Sequence, residues 1–147
     1  RKNLRVKFQM VKTKLDNGVI VFISPDAEKT AAYYHDVFGC RVVKHYENEE
    51  KFAALYRDKV EIIVVQAEKG DVISNLERYG AGYDAYLDPE DVAGVDIIYG
   101  ELKQKGANIV REPAITPYGC YEFVVKDIDG RLIGIGRIKD NATFFKS

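Results

Sequence analysis

The 147-residue chain predicts an α+β domain of two βαβββ units forming a curved mixed sheet around a cavity. Three observations carry this expectation. The order strand, helix, strand, strand, strand occurs twice. The aspartates positioned to start the two helices, Asp26 and Asp91, lie 65 residues apart, and the glycines positioned to end them, Gly39 and Gly106, lie 67 apart. Finally, a four-stranded sheet carrying one helix covers only one of its faces, so neither unit suits life alone. Two such sheets side by side leave a hollow, the usual place for a small ligand.

The first unit opens with the β-branched run Val19 to Ile23, which suits a strand. Ser24-Pro25-Asp26 stops it, because Pro25 cannot donate to a sheet ladder and Asp26 can accept from the first free helical amides. The helix that follows places Ala27, Ala31, Tyr34 and Phe38 on one face. Gly39 supplies the left-handed residue that ends it. "RVVKHY", "KFAALYR" and "VEIIVVQ" read as strands, the last two joined by a turn at Asp58-Lys59.

A long segment, Ala67 to Gly82, joins the units; its charges and glycines predict a mobile loop that shapes the cavity mouth. The second unit repeats the order. Tyr83 to Leu87 form a strand and Asp88-Pro89-Glu90-Asp91 the stop and cap. Val92, Val95, Ile98, Tyr99 and Leu102 mark a helix face that ends at Gly106. "ANIVRE" gives a strand, and "CYEFVVKD" and "RLIGIGRI" a hairpin across Asp129-Gly130. Residues 15–139 therefore read as one domain with units at 15–66 and 83–138, and 140–147 as a tail. Residues 1–14 read as an extension, native or appended, whose basic start "RKNLRVKFQ" precedes the sole methionine, Met10.

Composition narrows the function classes. A net charge of −1 provides no global field for nucleic acid or anionic lipid. No apolar run approaches the roughly 20 residues of a membrane span, and no secretory apolar segment stands near the start. Cys40 and Cys120 are too few for a disulfide framework and lack metal-like spacing. Cys40 reads as core filler, and Cys120, with no histidine in its segment, as a structural thiol. The expectation is a cytoplasmic protein with no nucleic-acid or membrane partner.

Two segments, "SPDAEKTAAYYHDVFGC" and "PYGCYEFVVKDIDGRLIGIGR", resemble the strand–helix signature and the closing hairpin of the vicinal oxygen chelate superfamily. That superfamily includes glyoxalase I, bleomycin- and fosfomycin-resistance proteins and extradiol dioxygenases, and the likeness covers roughly residues 15–138. The resemblance implies the glyoxalase/bleomycin-resistance fold. In the superfamily's metalloenzymes a divalent metal sits in the hollow, held by His, Glu or Gln from the first and last strands of each unit. It chelates two neighbouring substrate oxygens. Carried over by position, those ligands fall on Val19, Glu61, Asp84 and Gly134. Valine and glycine offer no donor, and no imidazole joins the two carboxylates. His35 falls on the solvent face of its helix and His45 outside the ligand strands. No metal and no other cofactor is therefore expected.

Given that arrangement, strand alternation turns Val19, Val21 and Ile23 toward the hollow, with Glu61, Ile63 and Val65, Asp84 and Tyr86, and Leu132, Gly134 and Gly136. The two glycines either enlarge the cavity or mark a bulge or close backbone approach. Tyr56, Tyr86, Tyr118 and Tyr121 border it, offering flat apolar bodies with polar tips. Glu61 and Asp84 suit a general acid or base, a cationic ligand, or a structural ion pair with an arginine such as Arg57. The expected ligand-binding set is thus Val19, Val21, Tyr56, Glu61, Ile63, Asp84, Tyr86, Tyr118, Tyr121 and Gly134, with Glu61 the catalytic candidate.

The leading expectation is a metal-free protein that binds a small organic molecule. The alternatives are a metal-dependent lyase or isomerase with a reduced ligand set and Glu61 as base, and an interaction domain whose hollow is filled by side chains. The resemblance also implies a homodimer.

Overall fold

The computed structural model describes residues 11–146; the basic segment at 1–9 lies outside them. The first unit comprises β1 (Ile20–Ser24), α1 (Ala27–Asp36), β2 (Arg41–His45), β3 (Phe52–Arg57) and β4 (Val60–Gln66). A short helix, α2 (Asn75–Tyr79), forms inside the connecting segment. The second unit comprises β5 (Ala85–Leu87), α3 (Val92–Gln104), β6 (Asn108–Ile115), β7 (Cys120–Lys126) and β8 (Leu132–Ile138). The expected tail carries one more turn of helix, α4 (Asn141–Phe144).

Each unit makes its own four-stranded sheet, ordered β1-β4-β3-β2 and β5-β8-β7-β6. In both, the first strand runs parallel to the last and the other pairs are antiparallel. The punctuation read from the sequence is what shapes these units. Asp26 accepts from the Lys29 amide at 3.1 Å and Asp91 from the Gly94 amide at 2.8 Å, each capping its helix. Gly39 and Gly106 take φ of +71° and +85°, the left-handed geometry that ends a helix.

One face of each sheet packs on its helix, and the two packed faces share a single core. Phe22, Leu55, Ile62 and Val64 meet Ala27, Ala31, Tyr34 and Phe38 in the first unit. Val95 and Leu102 meet Phe123, Val125, Ile133 and Ile135 in the second. Each such aliphatic or phenylalanine side chain contributes roughly 1.5–3 kcal/mol by leaving water.

The units are tied reciprocally. The β7–β8 turn reaches the first unit: buried Arg131 donates to Asp127 at 3.0 Å, to Asp129 at 2.8 Å and to the Ile23 carbonyl at 2.5 Å. Tyr34 donates to Asp127 at 2.6 Å, and Thr30 to Asp129 at 2.5 Å. In the other direction Arg57, at the end of β3, grips Glu101 of α3 with two bonds of 2.7 and 2.9 Å. Arg57 thus pairs with an α3 carboxylate rather than with Glu61 or Asp84.

Candidate functional site

The sheet faces without helices are where a site can form. On the first sheet, Val19, Val21 and Ile23 are 42, 58 and 53 % exposed. Beside them, strand pairing sets Arg41 opposite Tyr56 and Tyr56 opposite Glu61. The Arg41 guanidinium lies 4.9 Å from the centre of the Tyr56 ring. A hydrogen bond to Glu61 pushes the Tyr56 phenol above its ordinary pKa. Ile63 is half-buried two residues along β4 from Glu61.

A hollow of about 300 Å³ opens between the units, lined by Val21 and Ile23 of β1, Val72 and Ile73 of the connecting segment, and Asp84. Lys69, Asp71, Arg78 and Arg131 give it charge. A larger groove of about 780 Å³ runs between α1 and β2, where Ala32, Cys40, Val42 and Tyr46 stand beside the charged Glu28, Asp36, Arg41 and Lys44. The smaller hollow joins an apolar floor of Val21, Ile23, Val72 and Ile73 to charged walls, a concave site with polar groups to orient a ligand. Asp84 borders it with both oxygens engaged: one accepts from the Asn75 amide at 3.0 Å, the other from the Leu132 amide at 2.8 Å. Its carboxylate clamps the start of α2 to β8.

The open face of the second sheet centres on a residue that sequence reasoning missed. Glu122 of β7 is 0 % exposed although it lies on the side away from α3. Its Oε2 accepts from Arg111 at 3.0 Å and from the Tyr83 hydroxyl. Its Oε1 accepts from Tyr118 at 2.5 Å and more distantly from Tyr86 at 3.4 Å. Desolvation first, with the negative Glu122 adding to it, pushes the phenols of Tyr83, Tyr86 and Tyr118 above their ordinary pKa.

Gly134 and Gly136 explain how this much bulk fits. A Cβ on Gly134 would stand 2.7 Å from the Tyr86 ring, and one on Gly136 would stand 2.4 Å from Glu122 Cβ and 2.5 Å from the Tyr86 oxygen. The glycines mark a close approach, and the space they leave is occupied by Tyr86 and Glu122. Tyr121, one step along β7, points to the helix side and donates to Asp96 of α3 at 2.6 Å. Alternation dictates this, since Glu122 and Tyr121 cannot share a face.

The residues at the expected ligand positions do not fit a metal. Val19 and Gly134 have no donor atom and both Asp84 oxygens are committed to backbone amides, which leaves Glu61 alone. Among the described residues no three of His, Cys, Asp and Glu gather in a way that could hold an ion. His35 sits exposed beside Asp36, and His45 stacks on Phe52 with ring centres 4.4 Å apart.

Solved structures share this architecture. A glyoxalase/bleomycin resistance protein/dioxygenase domain from Frankia sp. EAN1pec superposes with a TM-score of 0.67 at 14% identity, covering 86% of this chain and 100% of its own. A glyoxalase/bleomycin resistance protein/dioxygenase from Nocardioides gives 0.66 at 14% identity, covering 95% of this chain and 94% of its own. TioX from Micromonospora sp. ML1 gives 0.60 at 20% identity, covering 83% of this chain and 99% of its own. At these identities the likeness establishes the fold. No curated protein sequence matches the chain. The sequence pattern of the Glyoxalase/Bleomycin resistance protein/Dioxygenase superfamily matches residues 18–135, most of both units. With two βαβββ units in the same order and neighbours of that fold, this chain belongs to the glyoxalase/bleomycin resistance protein/dioxygenase superfamily.

Proposed function

We propose that the chain binds a small organic molecule against its open sheet faces, without a metal. The observation that carries this is the hollow between the units. Its volume of about 300 Å³ stands at the lower end of the range for small-ligand sites. Val21, Ile23 and Ile73 give an apolar contact surface, and Lys69 and Arg78 give polar direction at its edge. The donor set supports the metal-free part, because of the four expected ligand positions only Glu61 has a carboxylate not committed to backbone amides.

Thermal unfolding of EDTA-treated protein tests both parts. A small molecule held at about a hundred times its dissociation constant adds about 2.7 kcal/mol to the folded state, readily seen as a rise in Tm. The rise should disappear in Val21→Lys, which places a charge in the hollow. A library in which no compound raises Tm, or in which every rise survives Val21→Lys, overturns the assignment. Nickel, zinc, manganese and iron(II) should leave Tm unchanged. A metal-induced rise that is lost in Glu61→Ala would instead support a metal-dependent lyase or isomerase.

The same reading includes a homodimer and a cytoplasmic setting. Val19 before β1, and Val110 and Ile115 of β6, leave apolar surface that a second copy would cover. Light scattering should give twice the 16.6 kDa of one chain; a value of 16.6 kDa would refute it. Cys40 and Cys120 are both free and buried, as suits a reducing compartment. Among the described residues no helix is long and apolar enough to cross a membrane.

A further inference from the structure

Glu122 is an expensive residue to bury. A carboxylate taken out of water costs several kcal/mol even after relaxation, and an apolar side chain would fill the same space without that cost. The second sheet nevertheless gives up side chains at both Gly134 and Gly136 to make room for it and for Tyr86. Three phenols and a guanidinium then converge on one carboxylate. The network centres on one acceptor, and its two oxygens are not equally held.

Oε2 is held by Arg111 and by Tyr83, which leads directly into β5. Oε1 depends on Tyr118, since Tyr86 stands off at 3.4 Å. Tyr118 is carried on the turn between β6 and β7, closed by the Gly119 amide donating to the Thr116 carbonyl at 3.0 Å. Its neighbour Gly119 takes φ +92°, and Tyr118 itself is 44 % exposed. The one donor that satisfies Oε1 at short range is therefore a half-exposed ring on a turn. Without the Tyr118 hydroxyl, Oε1 would keep only the distant Tyr86, beside the rings of Tyr83 and Tyr86, whose centres lie 5.8 Å apart.

We propose that Tyr118 is a built-in occupant of a hydroxyl-recognition site whose acceptor is Glu122, and that the ligand displacing it is a phenol. This site lies apart from the hollow between the units, whose lining includes neither Glu122 nor Tyr118, so the proposal goes beyond the small-molecule reading above. Charge decides among the alternatives. A cationic ligand would meet Arg111, 3.0 Å from the same carboxylate, and an anionic one would meet Glu122 itself. A neutral hydroxyl on a flat ring replaces Tyr118 like for like: the O–H goes to Oε1 and the ring enters an aromatic face.

The test is titration of the full chain with 4-nitrophenol, whose phenolate absorbs visibly and whose neutral form does not. Binding to Glu122 holds the probe protonated, so the phenolate band should fall. Tyr118→Phe removes the competing hydroxyl and should tighten binding about ten- to a hundredfold, because the wild type must first break a hydrogen bond to a charged acceptor. Nitrobenzene, lacking the hydroxyl, should show no such preference, and Glu122→Gln should abolish the gain. Equal affinity in wild type and Tyr118→Phe, an unchanged phenolate band on binding, or an equal gain for nitrobenzene overturns the proposal. If Glu122→Gln does not fold, the first three comparisons decide. Absence of phenol binding while other compounds raise Tm in a Val21-dependent way removes this proposal and leaves the small-molecule reading standing. Failure of every compound removes both.

Discussion

Replacing Gly136 by alanine isolates the physics of the second sheet's open face. The residue sits mid-strand, paired opposite Glu122. Ordinarily Gly→Ala in a compatible backbone stabilises by about 0.4–1 kcal/mol, because the unfolded chain has fewer states to lose. Here the new methyl would meet Glu122 Cβ at 2.4 Å, the Tyr86 oxygen at 2.5 Å and the Tyr121 carbonyl oxygen at 2.6 Å. The tyrosine tip can move, but the other two atoms belong to the neighbouring strand's backbone or its first side-chain atom. Overpacking of this kind costs about 1–3 kcal/mol, so the net effect should be destabilisation by about 1–2 kcal/mol. Urea unfolding reads it as a midpoint lower by roughly 0.5–1 M at an unchanged slope. Gly134→Ala should cost less, since its clashes are with ring carbons of Tyr86 and Tyr83. Gly100→Ala is the control: it lies on α3 with nothing within 4 Å of the new methyl and should stabilise by about 0.5–1 kcal/mol. If Gly136→Ala matches Gly100→Ala, the packing of Tyr86 and Glu122 against β8 is refuted.

Two further outcomes follow from the buried groups. Arg131→Met leaves Asp127 buried without its cation and should cost about 3–5 kcal/mol in urea unfolding, part of which returns when Asp127→Asn is added; a loss under about 1 kcal/mol would show that this tie does not hold the units together. Burial pushes the Cys40 thiol up to about 11 from 9.0, and the Tyr33 phenol up to about 12 from 10.0. Folded protein therefore holds these protons more tightly than unfolded chain does. Stability should be intact below pH 9 and fall as the pH rises through 11 to 12, with Cys40→Ala flattening the first part of the slope. Constant stability from pH 9 to 11 would contradict the burial of Cys40.

The fold was legible because its signals are local. Asp26 and Asp91 cap, Gly39 and Gly106 terminate, and Gly130 turns with φ +95°, each within a few residues of the feature it sets. The same holds for the helix faces: Ala27, Ala31, Tyr34 and Phe38 are all buried as the spacing predicts. The site was less legible because its contacts are not local. Nothing within "CYEFVVK" itself singles out Glu122 as a buried acceptor. What buries it are Tyr83 and Tyr86, 39 and 36 residues earlier, and Arg111, 11 residues earlier. The signal available was the pair Gly134 and Gly136, since bulk missing from one strand implies bulk on its neighbour. Tyr121, expected at the cavity, stands on the helix side because it shares parity with the buried Phe123 and Val125. α2 escaped notice because only Ser74, accepting from the Glu77 amide at 3.1 Å, announces a helix of five residues.

The exchange of turns between the units bears on how such a chain could arise. Arg131 finds its partners partly on β1, and Arg57 finds its own on α3, so each half is completed by groups that the other half supplies. A single βαβββ unit on its own would expose the packed face that now forms the shared core, and would leave a charged turn without a surface to receive it. Two copies meeting as separate molecules could meet both needs at once. Joining them by the segment from residue 67 to 82 then turns an encounter between molecules into one within a chain, and frees each half to diverge. The two halves differ in this way: the second gathers tyrosines around Glu122, while the first presents an open aliphatic face along β1.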